Sequence, residues 1–348
     1  MSNAFAVVNL PISRHRLQYQ AITPIKLPEY AGSALRGAFG HALKSIACLT
    51  ASRNRGVCCC ESATSCLYRQ LFDPPMQQVH HSQQQDVPAP IAIEPVLGGV
   101  VLQAGEQGYF DLVLIGQFAH QQQMIIQLAW QRALHDGVGV ADPQGRRGQA
   151  MLLGMRLLNQ PEALIPPNPR HAHLQLISPM RLQRRGQWIT AEQLTAPILL
   201  QAVLRRYQMM AQLYAVPQSE PQQPRTVESV AEFDPIQLDQ VTLERRVKWM
   251  QWTRYSNRQR REMTLGGLVG RVYLTDIPDE IWPYLYLGQW LHAGKNSIFG
   301  LGHYQIVADA WQPHLVKSTL PAETAPALDT PSNRINRVSH PTILRKTA

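Results

Sequence analysis

VTLERRVKWMQWTRYSNRQRREMTLGGLVGRVYLTD, residues 241–276, decides how the rest of the chain is read. Its two arms, 241–255 and 263–276, are rich in β-branched and aromatic residues and flank a short polar stretch, so they predict a hairpin of two long strands. DEIWPYLYLGQWLHAG (279–294) follows as a helix that tolerates Pro283 in its first turn. SIFGLGHYQIVAD (297–309) then closes the unit. Upstream, HLQLISPMRL (173–182) reads as a strand and AEQLTAPILLQAVLRRYQMMAQLY (191–214) as a long helix, with a polar, Pro-rich insertion at 216–235 before the hairpin.

The same order stands in the first half. HRLQYQAITP (15–24) has strand character, and GSALRGAFGHALKSIA (32–47) carries Leu35, Phe39, Leu43 and Ile46 at helical spacing. A Pro/Gln-rich loop at 74–90 precedes the strands IAIEP (91–95) and YFDLVLIG (109–116), the helix QQQMIIQLAWQRALH (121–135) and a closing strand QAMLLGMRLL (149–158). Strand, helix, strand, strand, helix, strand, taken twice, predicts an α+β chain of two tandem ferredoxin-like (RRM-like, βαββαβ) domains. Their expected bounds are 1–165 and 166–312, with a mobile Pro/Thr/Asn-rich tail at 313–348. The two halves share this order of elements but no obvious sequence repeat.

Across 348 residues, 33 Lys+Arg stand against 24 Asp+Glu, a net charge of +9, and 45% of residues are hydrophobic. That hydrophobic share excludes wholesale disorder, while 16% charged residues is below the usual figure of about 25%. An excess of cations with few acids to pair with points to nucleic acid, an anionic membrane or an acidic protein. The excess is concentrated. Arg245, Arg246, Lys248, Arg254, Arg258, Arg260 and Arg261 bring seven cations and no acid to the span between Glu244 and Glu262. Trp249, Trp252 and Tyr255 are interleaved, as stacking on unpaired bases requires. On a strand, Arg245 and Trp249 share one face, and Arg246, Lys248, Trp252 and Arg254 the other. Gly300 and Gly302, with His292 and Lys295 just upstream, form a second candidate anion contact, because glycine lets backbone N–H groups approach phosphate.

All five cysteines lie in Cys48–Cys66. Without a visible signal peptide, such clustering argues for a reduced, cytoplasmic protein with a metal site rather than disulfides. Four thiolates suit a tetrahedral Zn²⁺, and Cys48, Cys58, Cys60 and Cys66 are the expected ligands, with Cys59 able to replace either neighbour. A site closed by four thiolates has no open position for substrate, so a zinc there would be structural; an iron–sulfur cluster is the alternative. No run approaches 18 apolar residues, so no membrane span is expected. His41 and Lys44 lie about 60° apart on the polar side of the 32–47 helix, where histidine can serve as a general base. Signatures for zinc hydrolases, serine hydrolases, nucleotide phosphates and dinucleotides are absent.

GSALRGAFGHALKSIAC and CLYRQLFDP in the first half, and LQLISPMRL, LGGLVGRVYL and LGQWLHAGKNSIFGLGHYQI in the second, resemble one family. It is the CRISPR repeat-RNA-processing endoribonucleases of the RAMP superfamily, the sixth Cas family, and the likeness runs from about residue 15 to 308. The resemblance implies two tandem ferredoxin-like folds and cleavage of precursor CRISPR RNA without a catalytic metal. It implies attack by the 2′-hydroxyl on the adjacent phosphate, leaving a 2′,3′-cyclic phosphate and a 5′-hydroxyl. His41 then takes the place of the base, with Lys44 or Tyr30 as electrostatic partner or acid, and the 299–302 run that of an RNA-contacting loop. Implied partners are repeat and guide RNA, and other Cas subunits of an effector complex. The alternative is a catalytically silent RAMP subunit that only holds guide RNA. A DNA-binding regulator fits less well, since no helix-turn-helix pattern accompanies the basic stripe.

Overall fold

The computed structural model describes residues 9–48, 66–74, 77–79, 83–85, 87–216, 238–256 and 261–307. In chain order these give strands β1 (Ile12–Ala21) and β2 (Ile25–Leu27) and helices α1 (Gly32–Ala47) and α2 (Leu67–Leu71). Strands β3 (Gln77–Val79), β4 (Gln83–Gln85), β5 (Ile91–Glu94), β6 (Val100–Leu102) and β7 (Gln107–Ile115) follow. Helices α3 (Gly116–Gln121) and α4 (Gln123–Asp136) and strand β8 (Ala150–Asn159) end the first half. The second half contains β9 (His171–Met180), β10 (Gln183–Arg184), β11 (Gln187–Trp188), α5 (Ala196–Tyr214), β12 (Thr242–Ser256), β13 (Arg261–Thr275), α6 (Trp282–Leu291) and β14 (Tyr304–Val307).

Two four-stranded antiparallel sheets organise the chain, in the orders β5-β7-β1-β8 and β12-β13-β9-β14. In each, the first strand of its half sits between the third and the fourth, and a helix follows the first and the third. The expected α+β class and both sequences of elements are present. Three expectations need correction. The stretch 74–90 is not all loop, because β3 and β4 pair within it. The helix expected at 121–135 is present as α4, but an unexpected short helix, α3, precedes it from Gly116. The helix expected at 191–214 starts at Ala196, with Pro197 in its first turn. The insertion at 216–235 and the tail at 313–348 fall almost wholly outside the described residues.

Alternation along the N-terminal strands explains the layering. Leu17 and Tyr19 of β1, Ile91 and Ile93 of β5, and Phe110, Leu112 and Leu114 of β7 pack with Leu35, Phe39 and Leu43 of α1 and Trp130 of α4. The residues between them point to the other face. There Ile12, Ala92, Val113 and Ile115 join the core formed by α5, α6 and the inner face of the second sheet. Helices α5 and α6 therefore lie between the two sheets, which is why YFDLVLIG is apolar on both faces. Full burial of each such Leu, Ile or Phe contributes about 1.5–3 kcal/mol. On the outer face of the second sheet, by contrast, Arg246, Arg271 and Gln305 are exposed.

Candidate nucleic-acid interface and active site

Helix α1 presents the candidate base. Its Leu35, Phe39 and Leu43 are buried, so His41 is left on the exposed side in the third turn. Lys44, one turn on, shares that side and places its ammonium 5.5 Å from the centre of the Tyr68 ring. Tyr30 is not brought to them. It precedes the helix, about 15 Å of helix rise from His41, and its hydroxyl donates to Met250 Sδ at 2.6 Å while its ring stacks on Trp252 at 4.2 Å. Burial, with Glu29 nearby, pushes the Tyr30 hydroxyl up, away from proton transfer at neutral pH. Tyr30 thus joins α1 to the hairpin, a correction to its expected role beside the base.

The hairpin forms in the expected register, β12 pairing with β13 from Thr242↔Thr275 to Ser256↔Arg261. The two faces differ in kind. Leu243, Val247 and Trp249 pack against the core, and Arg245 on that side spends two donors, at 3.0 Å each, on the carbonyls of Leu194 and Glu192. Arg245 is thereby a tether to the segment before α5, which corrects its assignment as an RNA contact. Arg246 and Lys248 stand exposed on the opposite face. Trp252 is on this face too, but its ring is covered by Tyr30. Arg258 and Arg260 lie outside the described residues, as do the side chains of Arg254 and Arg261.

The glycine run is a packing device. Gly300 and Gly302 are buried with φ of 79° and 77°, and a β-carbon at either would run into a carbonyl, Ile93 for Gly300 and Ala293 for Gly302. Neither has the open space that phosphate approach needs. His292 is 0% exposed, so it too is corrected from RNA contact to interior. Lys295 alone of this group is exposed.

His292 belongs instead to a buried polar cluster that spans the halves. Its Nε2 lies 2.7 Å from Glu94 Oε1 and its Nδ1 3.1 Å from the Leu301 carbonyl. Arg14 grips the same carboxylate, Nε to Oε2 at 2.7 Å and Nη2 to Oε1 at 3.0 Å. Nη2 also reaches the Gln289 carbonyl at 3.0 Å and His303 Nε2 at 3.1 Å. Burial pushes the Glu94 carboxyl up, but His303, the His292 hydrogen bond and the Arg14 charge outweigh it and hold it well below the usual carboxylate range. Burial lowers His303 to about 3, against the pull of Glu94; its ring is neutral at pH 7. Ligand atoms of Glu94, His292 and His303 lie within 4.8 Å of one another. A metal would nevertheless meet the Arg14 guanidinium, which already acts as the cation there. In the sequence His292 stood out, though for another role, and Glu94 was visible only as an acid ending the apolar strand IAIEP.

Cys48 follows α1 and Cys66 precedes α2; both are 8% exposed and neither forms a disulfide. Two buried thiols at the two ends of the 49–65 segment suit a thiolate metal site. Cys58, Cys59 and Cys60 lie outside the described residues. No described helix is long and apolar enough to cross a membrane.

Comparison with known proteins adds the family. Residues 10–171 match a family model described as an N-terminal domain, and residues 174–304 match that of the CRISPR-associated endoribonuclease Cas6. No curated protein matches the chain. Among solved structures, a partial Cas6-RT-Cas1–Cas2 complex is similar over 91% of this chain and 50% of its own, at 12% identity and a TM-score of 0.50. Thermus thermophilus Cas6 aligns over 85% of this chain and 98% of its own, at 10% identity and a TM-score of 0.45. At 12% identity, the likeness to the partial Cas6-RT-Cas1–Cas2 complex speaks for the fold alone. The matched residues 174–304, which contain the hairpin, α6 and the glycine run, thus form a domain of the CRISPR-associated endoribonuclease Cas6 family.

Proposed function

We propose that this protein is an endoribonuclease that cuts precursor CRISPR RNA within its repeats and keeps hold of the guide RNA. The match of residues 174–304 to the Cas6 family carries the reading. The two sets of strand order support two ferredoxin-like domains meeting near residue 166. In the proposed reaction His41 takes the proton of a ribose 2′-hydroxyl, whose oxygen attacks the adjacent phosphorus. The bond from phosphorus to the 5′ oxygen breaks, leaving a 2′,3′-cyclic phosphate. Lys44 stabilises the charge on the phosphoryl oxygens and supplies the proton that makes the 5′-hydroxyl. Arg246, Lys248 and Lys295, with the hairpin cations Arg254, Arg258, Arg260 and Arg261, hold the repeat by its phosphates. The step needs no metal ion. Other Cas subunits and a cytoplasmic setting fit the same reading.

The test is repeat RNA from the protein's own locus, incubated with protein in EDTA. A single discrete cut bearing a cyclic-phosphate end is expected. Uncut RNA, with or without added Mg²⁺, rejects the enzyme and leaves a guide-RNA-holding subunit.

We further propose that Cys48 and Cys66, with two of Cys58, Cys59 and Cys60, hold one structural Zn²⁺ that ties α1 to α2. Protein purified without chelator is expected to contain close to one zinc equivalent, and Cys66→Ser to lose it. Less than about half an equivalent in the unaltered protein counts against the site.

A further inference from the structure

The outer face of the second sheet carries a pattern that neither the hairpin cations nor α1 explains. Cross-strand register sets Arg246 opposite Arg271 and Arg271 opposite Gln175, with Gln305 beyond it. The next row sets Glu244 opposite Tyr273 and Tyr273 opposite His173. The Tyr273 ring stands 6.5 Å from His173, edge to face, and 6.3 Å from His171, both on β9. Two imidazoles from the neighbouring strand thus brace one partly exposed aromatic ring at the middle of the sheet.

Two guanidiniums directly opposite each other destabilise a sheet by a few tenths to about 1 kcal/mol. An anion lying across β12 and β13 turns that repulsion into attraction. Among the described residues Arg246, Lys248 and Arg271 face it, with Glu244 the carboxylate in the next row. β9 and β13 are the first and third strands of their unit, and RRM sheets stack bases on aromatics in an equivalent place.

We propose that this face does more than grip phosphates: it takes unpaired nucleotides, with a base stacked on Tyr273 and the flanking phosphates on Arg246 and Arg271. It extends the RNA reading above. Gln175 and Gln305 supply amides that can reach base edges.

A fluorescently labelled, unstructured oligoribonucleotide of about ten nucleotides tests it by anisotropy titration over a range of salt. Tyr273→Ala is expected to weaken binding about ten-fold or more, and Tyr273→Phe to bind like the unaltered protein. Arg246→Ala and Arg271→Ala should each lower the slope of log affinity against log salt by about 0.7. Arg271 is exposed, so its variant reads the site even if Tyr273→Ala unfolds. Failure of the unaltered protein to bind the oligonucleotide overturns the proposal, as does unchanged binding by Tyr273→Ala and Arg271→Ala. Failure to cut repeat RNA, with the oligonucleotide still bound at this face, rejects the enzyme reading alone.

Discussion

Glu94→Gln is expected to remove about 3–5 kcal/mol of folding free energy, the usual cost of breaking a buried ion pair by deleting one charge. The substitution keeps the side chain's size, so no cavity enters the account. What changes is charge. Arg14, at 5% exposure, has no other carboxylate among its described hydrogen bonds, which go to Asn159, the Gln289 carbonyl and His303. An uncompensated guanidinium then lies between the sheets. An amide also cannot accept from Arg14 and His292 at once on both of its atoms. Chemical unfolding measures the loss. Arg14→Gln combined with Glu94→Gln is expected to recover part of it, because the double variant buries no lone charge at this pair. A loss below about 1 kcal/mol for Glu94→Gln would show that the cluster does not hold the halves together.

His41→Ala is expected to slow cleavage of repeat RNA by about 10²–10⁴-fold, the usual contribution of a general base, with folding unchanged. His41 is exposed, and alanine is the better helix former, so α1 loses nothing by the change. Binding of uncut RNA should survive, because the phosphate contacts lie on the hairpin. Single-turnover cleavage rates read the outcome. A rate within three-fold of the unaltered protein removes His41 as the base and leaves the family assignment standing.

How far the sequence could be read depended on the range of the interactions involved. Helix α1 was legible to the residue because its apolar spacing is local, and the hairpin because two β-rich arms are separated by a few polar residues. The expected faces of β12 also held: period two put Arg246 and Lys248 on one side and Arg245 with Trp249 on the other. Which face meets water was not legible, since that depends on where α5 and α6 pack. The Gly300–Gly302 run shows the same limit. Positive φ could be guessed from the glycines, but the Ile93 carbonyl that fills the space lies about two hundred residues away. The Glu94 cluster joins β1, β5 and the segments around α6 and β14, and no window of sequence contains more than part of it. Tyr273 passed unnoticed because a lone tyrosine in VGRVYLT is an ordinary strand residue until its register with His173 is known.

The burial of α5 and α6 between two sheets has a consequence for how the protein comes apart. Each helix is shared property: one side closes the second sheet, the other closes the first. Severing the chain between Asn159 and His171 would give an N-terminal fragment with Ile12, Ala92, Val113 and Ile115 bare to water, and a C-terminal fragment with helices open on one flank. Neither piece is a free-standing module. A protease nick in that connection should leave the two pieces bound together, and heating should melt them in one transition.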